Sequence, residues 1–269
     1  MRVKIPLNSA SKVPKKPRNV RLAAASVALA LLVSCGPAPV AQGINDPSEA
    51  RNRSVHGFNL AIDRAIVEPG AKGYGAALPK PVQRGLSNVA DTLELPSNIA
   101  NNLLQLRLGK AGQNTLRLAF NLTFGLGGVV DASTAFGVPE AKTDFGETLH
   151  IWGVPEGQYV VLPVLGPSTG RDAAGVVVDA FLDPVGAFLP VREGNIATGI
   201  RIAGRLGDRD RFSDTIDSIL YESADGYAQQ RLLYLQKRRF ELGQADAAGT
   251  GDAGQDAGFI DPYEDPYGQ

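Results

Sequence analysis

The sequence predicts an all-α protein of short amphipathic helices that carries a glycine-rich hairpin and a disordered acidic C-terminal tail. Three observations lead to this prediction: apolar residues recur at helical spacing, prolines repeatedly mark helix starts, and three glycines interrupt one apolar run. Residues 243–269 are rich in Asp, Gly, Ala and Gln, a composition typical of disorder. We therefore expect one helical domain over residues 46–242.

The N-terminus has the pattern of a lipoprotein signal peptide over residues 1–34. This segment holds seven basic residues, no acidic residue and the twelve-residue apolar run Leu22–Val33, which is too short for an anchor helix. The run ends in Leu32-Val33-Ser34-Cys35, which resembles the bacterial lipobox. We expect Cys35 to begin the mature chain, with a diacylglycerol on its thiol and an acyl group such as palmitate on its amino group. Residues 35–45 then form a tether.

Cysteine and charge counts narrow the function further. Cys35 is the only cysteine, so the mature chain has no disulfide and no thiol left for chemistry. Gly36 follows it, which favours export to the outer membrane, with the protein on the periplasmic side. The 28 acidic residues all follow the leader, whereas seven of the 27 basic residues lie within it. The mature chain is therefore negatively charged and a poor candidate for binding nucleic acid.

The first helix begins at Asp46-Pro47-Ser48-Glu49, where Asp46 is predicted as the N-cap and Glu49 as the residue that reaches back to it. Two stripes follow at helical spacing, and the polar one borders either solvent or a wet interior. The apolar stripe is Val55, Phe58, Ile62, Ala65 and Ile66, and the polar stripe is Asn52, His56, Asn59 and Asp63.

Proline spacing predicts the next helices over residues 81–93 and 96–108, and a further helix over residues 113–124. Residues 144–172 are dense in glycine and proline and are predicted as largely loop. Within them, residues 159–165 favour a strand at a sheet edge, since Pro163 cannot donate to a central ladder.

The apolar run over residues 116–130 is broken by Gly125, Gly127 and Gly128 and closed by Asp131. It is too short to span a bilayer, and glycines cost a helix interior roughly 1 kcal/mol each. It is either a buried hairpin or re-entrant turn, or a core helix that ends in a glycine-rich turn. In the hairpin, we expect the glycines to occupy positions where side chains have no room.

No catalytic or metal site is predicted. Gly166-Pro167-Ser168-Thr169-Gly170 matches the G-x-S-x-G motif of hydrolases, but His56 and His150 both precede Ser168, the reverse of the order that such enzymes require. Two isolated histidines without cysteines have no recognisable metal-ligand spacing.

Taken together, these segments resemble the VacJ (MlaA) family of outer-membrane lipoproteins over about residues 46–242. The matching pieces, in chain order, are Asp46-Pro47-x-Glu49-x-x-Asn52-Arg53, Phe58-Asn59 with Asp63, Leu78-Pro79-x-Pro81, Gly85-x-Ser87-Asn88, Asn102-x-Leu104-Gln105, Asn121-x-Thr123-x-Gly125-x-Gly127-Gly128-x-x-Asp131, Phe145-Gly146-x-Thr148-Leu149, Gly157-x-Tyr159-x-x-Leu162-Pro163, Gly166-Pro167-Ser168 with Arg171-Asp172, and Tyr234-Leu235-Gln236-x-Arg238. The chain departs from the family's pattern in the hairpin, where Leu122 and Phe124 flank Thr123.

The resemblance implies a ring- or disc-like helical assembly in the inner leaflet of the outer membrane, with an amphipathic channel bordered by the hairpin. It implies passage of mislocalised phospholipid from the outer leaflet to a soluble periplasmic lipid-binding protein, association with a trimeric porin, and no cofactor besides the lipid on Cys35. The predicted channel residues are Asn121, Phe124, Gly125, Leu126, Gly127, Gly128 and Asp131, joined by the polar stripe of the first helix. A lipid-remodelling enzyme and a porin-associated scaffold without its own channel are the competing interpretations.

Overall fold

A computed structural model describes residues 37–39, 41, 43–183, 185–186 and 189–244. The predicted leader, Cys35 and nearly all of the predicted tail therefore lie outside the described residues. Within them, the helices and strands are α1 Glu49–Ile62, α2 Glu68–Ala77, α3 Lys80–Leu104, α4 Leu108–Thr123, α5 Ala132–Ala135, α6 Phe145–Ile151, β1 Tyr159–Leu162, β2 Gly166–Thr169, α7 Gly170–Leu182, α8 Val191–Arg211, α9 Ser213–Asp217 and α10 Gly226–Glu241.

The predicted all-α class is confirmed, with one small antiparallel sheet added in the described part of the chain. Two π-helical segments, Asp63–Val67 and Ser218–Glu222, lie beside the α-helices. In the sheet, Tyr159 lies opposite Thr169 and Leu162 opposite Gly166. The strand predicted over residues 159–165 ends at Leu162, directly before Pro163.

The prediction of separate helices over residues 81–93 and 96–108 is wrong. One helix, α3, runs through Pro96. A proline inside a helix costs about 3 kcal/mol because it removes a hydrogen bond and crowds the preceding turn. Ala90, Leu95 and Asn98 are buried on either side of Pro96, so one continuous packed face opposes this cost. α4 likewise begins earlier than predicted, at Leu108 rather than near residue 113.

The predicted cap of α1 is also wrong. The helix begins after Ser48, and the Asp46 carboxylate accepts hydrogen bonds from Asn52, Tyr227 and Arg231 instead of capping the backbone. Glu49 pairs with Arg53 at 2.7 Å. These acidic side chains therefore join α1 to its own next turn and to α10. The loop predicted over residues 144–172 contains α6 and both strands.

The interior is unusually polar. Buried asparagines follow α3 and α4, where Asn102 and Asn114 are fully inaccessible, while the buried apolar cluster is small: Tyr159, Val161, Tyr227 and Leu235. Large apolar side chains lie instead on the outside; more than half of the surface is exposed in Leu106, Leu108, Leu116, Leu122, Phe124 and Leu126. This reverses the usual distribution in a water-soluble domain, where exposed apolar patches are small.

The reversal extends to α1. On its predicted polar stripe, Asn52 and His56 are buried. On its predicted apolar stripe, Phe58 is 52% and Ile66 66% exposed, while Val55 is half-buried and packs against the buried apolar cluster. None of the helices in the described ranges combines the length and apolar character that crossing a bilayer requires.

Candidate functional site

The glycine-rich segment follows α4 and folds back onto α3. The first half of the predicted apolar run belongs to α4, which ends at Thr123, and the second half is a series of tight turns. Gly128 N–H donates to Asn121 O at 2.8 Å, and Val130 N–H donates to Gly125 O at 2.9 Å. The run is therefore a helix that ends in a glycine-rich turn, which is the second interpretation offered by the sequence, and this turn reverses the chain.

The expected crowding holds at two of the three glycines. A Cβ at Gly125 would lie 2.2 Å from Val130 O, and one at Gly128 would lie 2.8 Å from Thr92 Oγ1 on α3. At Gly127 the same atom would meet nothing within 4 Å, so the expectation of no room there is wrong. Gly127 is instead required by its backbone, whose φ of +73° is rare for residues with side chains.

The inner side of this segment is polar and tightly bonded. Asn121 accepts hydrogen bonds from the N–H of Ser133 at 3.0 Å and from its hydroxyl at 2.8 Å. Asp131 accepts from Thr134 N–H at 3.1 Å and pairs with Arg117 at 3.2 Å. Burial alone would raise the pKa of Asp131, but hydrogen bonds from Ser133 and Thr134 and the charge of Arg117 lower it to about 2. The carboxylate stays ionised and fixes α5 against α4.

The outer side of the same segment is apolar. Phe124 and Leu126 are 65% and 75% exposed, and the Phe124 ring packs at a tilt against Phe120 and Phe136 at centroid distances of 5.9 and 5.7 Å. Leu126 has a φ of +53°, a conformation that is uncommon and strained in a residue with a Cβ. The backbone at Leu126 is therefore strained, and its side chain points outward rather than into a buried hairpin.

Two neighbouring cavities lie along α3. A narrow polar cavity is lined by Leu95, Arg117, Glu140 and the predicted site residues Asn121 and Asp131. A wider, open cavity of about 600 Å³ is lined from α3, with Arg211 at the end of α8. Asn88 and Asp91 line both cavities. The wider one, which we call the α3 cavity, falls within the size range of small-molecule sites.

The predicted polar stripe of α1 has a different role. Asn52 accepts from Val161 N–H and donates to Tyr159 O, each at 3.0 Å. Asn59 makes the same pair of bonds with Val164 N–H and Leu162 O, at 2.7 and 3.0 Å. Two asparagines seven residues apart thus satisfy the free edge of β1, as a third strand would. Unpaired backbone groups at a strand edge are costly to bury, so pairing them explains why asparagine lies at these two positions of the stripe.

The other two residues of the stripe also bind protein groups. His56 Nδ1 lies 3.0 Å from Gln230 Oε1, and burial lowers the pKa of His56. Asp63 pairs with Arg209 at 2.9 Å and accepts from the Tyr221 hydroxyl at 2.7 Å. The structure thus places the stripe at the contacts of α1 with β1, α8 and α10, not along either cavity above.

Sequence reasoning missed the polar residues that line the α3 cavity. Lys80, Arg84, Ser87 and Asp91 follow one another at i, i+4, i+7 and i+11, which places them on one face of a helix. The signal was present in the sequence. Its meaning depends on the packing of the start of α3 near the end of α8, which places Arg211 beside the same residues.

The residues considered for catalysis are not arranged for it. Ser168 is 4% exposed, lies in β2 opposite Val160, and donates to Thr169 O at 3.3 Å. Of the histidines, His56 contacts Gln230, and the carbonyl of buried His150 accepts from Ala38 N–H at 2.9 Å. Among the described residues, no group of three His, Cys, Asp or Glu side chains is placed to hold a metal ion.

Comparison with known proteins places this arrangement in a family. The chain matches the MlaA lipoprotein family over residues 44–241. It is 34% identical to the intermembrane phospholipid transport system lipoprotein MlaA of Haemophilus influenzae, covering 74% of this chain and 79% of that protein. It is 33% identical to the protein of the same name from Escherichia coli, covering 82% of this chain and 88% of the relative.

A solved structure gives the same result. It comes from work on the structural basis for maintenance of bacterial outer membrane lipid asymmetry, and it matches with a TM-score of 0.62 and 27% identity over 73% of this chain and 98% of that chain. Sequence and structure therefore agree that this chain belongs to the MlaA lipoprotein family.

Proposed function

We propose that this protein moves phospholipid between the outer membrane and a soluble periplasmic lipid-binding protein, and that the lipid headgroup passes through the α3 cavity. The relatives in H. influenzae and E. coli are named as phospholipid transport lipoproteins. In this chain, the observation that carries the proposal is the α3 cavity itself: about 600 Å³ of open space lined by polar and charged residues, in a molecule that exposes many large apolar side chains on its surface.

The distribution of polarity supports this route. A phospholipid needs a polar path for its headgroup and an apolar surface for its acyl chains. Ser87, Asn88 and Asp91 supply the first, and the exposed side chains of Phe124, Leu126 and their neighbours supply the second. The glycine-rich segment connects the polar path to the apolar surface, because its Val129 O accepts a hydrogen bond from Asn88 Nδ2 in the cavity at 2.9 Å.

The proposal also includes the membrane anchor of the protein and its partner in the outer membrane. Acylation of Cys35 would hold the protein on the periplasmic side of the outer membrane, since two or three acyl chains give stable anchoring. A trimeric porin is the proposed outer-membrane partner, and the exposed apolar residues Val176, Val177 and Phe181 of α7 offer a surface for contact with it. Transport needs no chemical step at Ser168, so Ser168→Ala is expected to leave lipid traffic unchanged at equal protein abundance.

The proposal is tested by blocking the α3 cavity with a large side chain. Ser87→Trp places a bulky side chain in the α3 cavity, and Leu103→Trp is the matched control on the outward side of the same helix, where Leu103 is 48% exposed. In cells that carry only the variant, phospholipid should accumulate in the outer leaflet with Ser87→Trp and not with Leu103→Trp. Normal outer-leaflet lipid with abundant Ser87→Trp protein would contradict the proposal and favour a porin-associated scaffold.

A further inference from the structure

The α3 cavity carries charged groups whose partners are missing from the described part of the chain. Arg84 is exposed at the cavity and has no hydrogen bond or ion pair there. Arg211 has no ion pair in the described ranges; its guanidinium lies 5.9 Å from the centre of the Phe212 ring. Asp91 likewise has no hydrogen bond or ion pair among the residues described.

The remaining charges of the cavity rim are already paired. Lys80 Nζ lies 3.6 Å from Asp210 Oδ2 and donates to Gln83 Oε1 at 3.3 Å. The Asp210 carboxylate packs against Gly75, where a Cβ would lie only 2.4 Å from its oxygens. Asp210 is thus positioned by α2 beside Lys80. The charges left for a ligand are two guanidinium groups and one carboxylate.

This set complements one type of ligand. Guanidinium groups bind phosphate oxygens through charge-assisted hydrogen bonds, often two at a time. A carboxylate binds an ammonium group, and Asp91 lies where the wide cavity meets the narrow one. A ligand with one phosphodiester and one ammonium would leave each of the three groups paired. A purely anionic ligand would bring a negative charge up to Asp91, which forms no ion pair among the described residues and is only partly offset by the charges of Lys142 and Arg117.

We propose that the α3 cavity binds the zwitterionic headgroup of a phospholipid, with the phosphodiester at Arg84 and Arg211 and the ammonium at Asp91. This inference rests on the proposed function, since it names the substrate class of the same cavity. The shared chemistry is phosphate binding, and free phosphate and a lipid headgroup are its two sources. The carboxylate favours the headgroup.

Headgroup fragments without acyl chains test this directly. Glycerophosphoethanolamine, glycerophosphoglycerol and inorganic phosphate are each titrated into the purified lipoprotein in detergent, and binding is followed by ³¹P NMR. The wild type should bind glycerophosphoethanolamine more tightly than either other probe. Arg84→Gln/Arg211→Gln should weaken binding by about tenfold or more, the effect of losing charge-assisted hydrogen bonds.

Two further variants make the result specific. Asp91→Asn should remove the preference for glycerophosphoethanolamine over glycerophosphoglycerol while binding to phosphate persists. Arg51→Gln/Arg192→Gln removes two exposed arginines elsewhere and should leave binding unchanged. Circular dichroism confirms that each variant is folded.

Three results would overturn the inference: no binding of glycerophosphoethanolamine by the wild type, equal binding by the Arg84/Arg211 variant, or equal affinity for inorganic phosphate, which would indicate a free-phosphate site. Its failure is separable from that of the transport proposal. If Ser87→Trp causes lipid accumulation while the titrations fail, the cavity passes lipid without recognising its headgroup in this way. If Ser87→Trp has no effect in cells, the transport proposal itself is wrong.

Discussion

Two regions of the molecule use the same charged residue types for opposite purposes. Along α10, Arg238 pairs with Asp144 at 2.7 Å and Asp172 at 3.0 Å, and Arg239 pairs with Glu156 at 2.8 Å; we call this the α10 network. In the α3 cavity, Arg84, Asp91 and Arg211 have no such partners among the described residues. Paired charges fix the fold, whereas unpaired charges around open space are available to a ligand.

The pKa values show the same contrast. Burial alone would raise the pKa of Asp172, but the charge and hydrogen bonds of Arg238 lower it. At the cavities, neighbouring positive charges do not offset the effect of burial, and burial therefore raises the pKa of Asp91 and of Glu140. Ionised Asp172 therefore stabilises the folded state, and ionised Asp91 destabilises it. A cavity carboxylate whose pKa is raised by burial is a feature of functional sites.

The largest expected effect is the loss of a network cation. Arg238→Met would leave Asp172 buried without its main partner, and breaking a buried ion pair typically costs about 3–5 kcal/mol. We expect the free energy of unfolding, measured by denaturation in detergent, to fall by about this amount. Lys237→Met is the control, because Lys237 is exposed and its ion pair with the exposed Glu241 is long, at 3.8 Å. Equal stability of the two variants would show that the network is not structural.

The glycine-rich segment should give a graded result. Gly125→Ala would press a methyl group against Val130 O, so we expect a loss of stability well above 1 kcal/mol. Gly127→Ala meets no atoms and should lose only about 1 kcal/mol, the cost of a left-handed conformation. Thermal denaturation of the purified variants measures the difference. If Gly127→Ala were the more damaging change, the crowding argument would fail.

Replacing the carboxylates should change stability in opposite directions. At pH 7, Asp172→Asn is expected to lower the melting temperature and Asp91→Asn to raise it. The Asp172 contribution is present above its unfolded pKa of about 3.9 and is lost as the pH falls through the lower folded value. The penalty at Asp91 is relieved as the pH falls through its raised folded pKa, so the advantage of Asp91→Asn should shrink there. Shifts of the same sign would contradict the contrast.

The smallest effect on folding should come from the most exposed apolar residue of the segment. Leu126→Asp adds a charge to a side chain that is 75% exposed, so stability in detergent should change by less than about 0.5 kcal/mol. In cells, the same change should raise outer-leaflet phospholipid, because a carboxylate on an apolar surface disfavours contact with acyl chains. Protein abundance and porin co-purification are the controls. A large loss of stability in detergent would show that Leu126 packs against protein.

The sequence predicted much of the fold because helical spacing, prolines and glycines act locally. It failed where tertiary contacts decided the outcome. The packing of α3 keeps the helix continuous through Pro96. The edge of β1 is hydrogen-bonded by Asn52 and Asn59 of α1, which lie more than a hundred residues away in the sequence. The α3 cavity was missed because Arg84 and Arg211 come together only when α3 and α8 pack.

The most direct measurement asks whether phospholipid occupies the α3 cavity and not the α10 region. A photoreactive amino acid is placed at Ser87, which lines the cavity, or at Gln230, which contacts His56 between α1 and α10. After illumination in cells, mass spectrometry of the purified protein should find a phospholipid adduct at Ser87 and none at Gln230. No adduct at Ser87, or equal adducts at both positions, would contradict the proposal that the lipid passes through the α3 cavity.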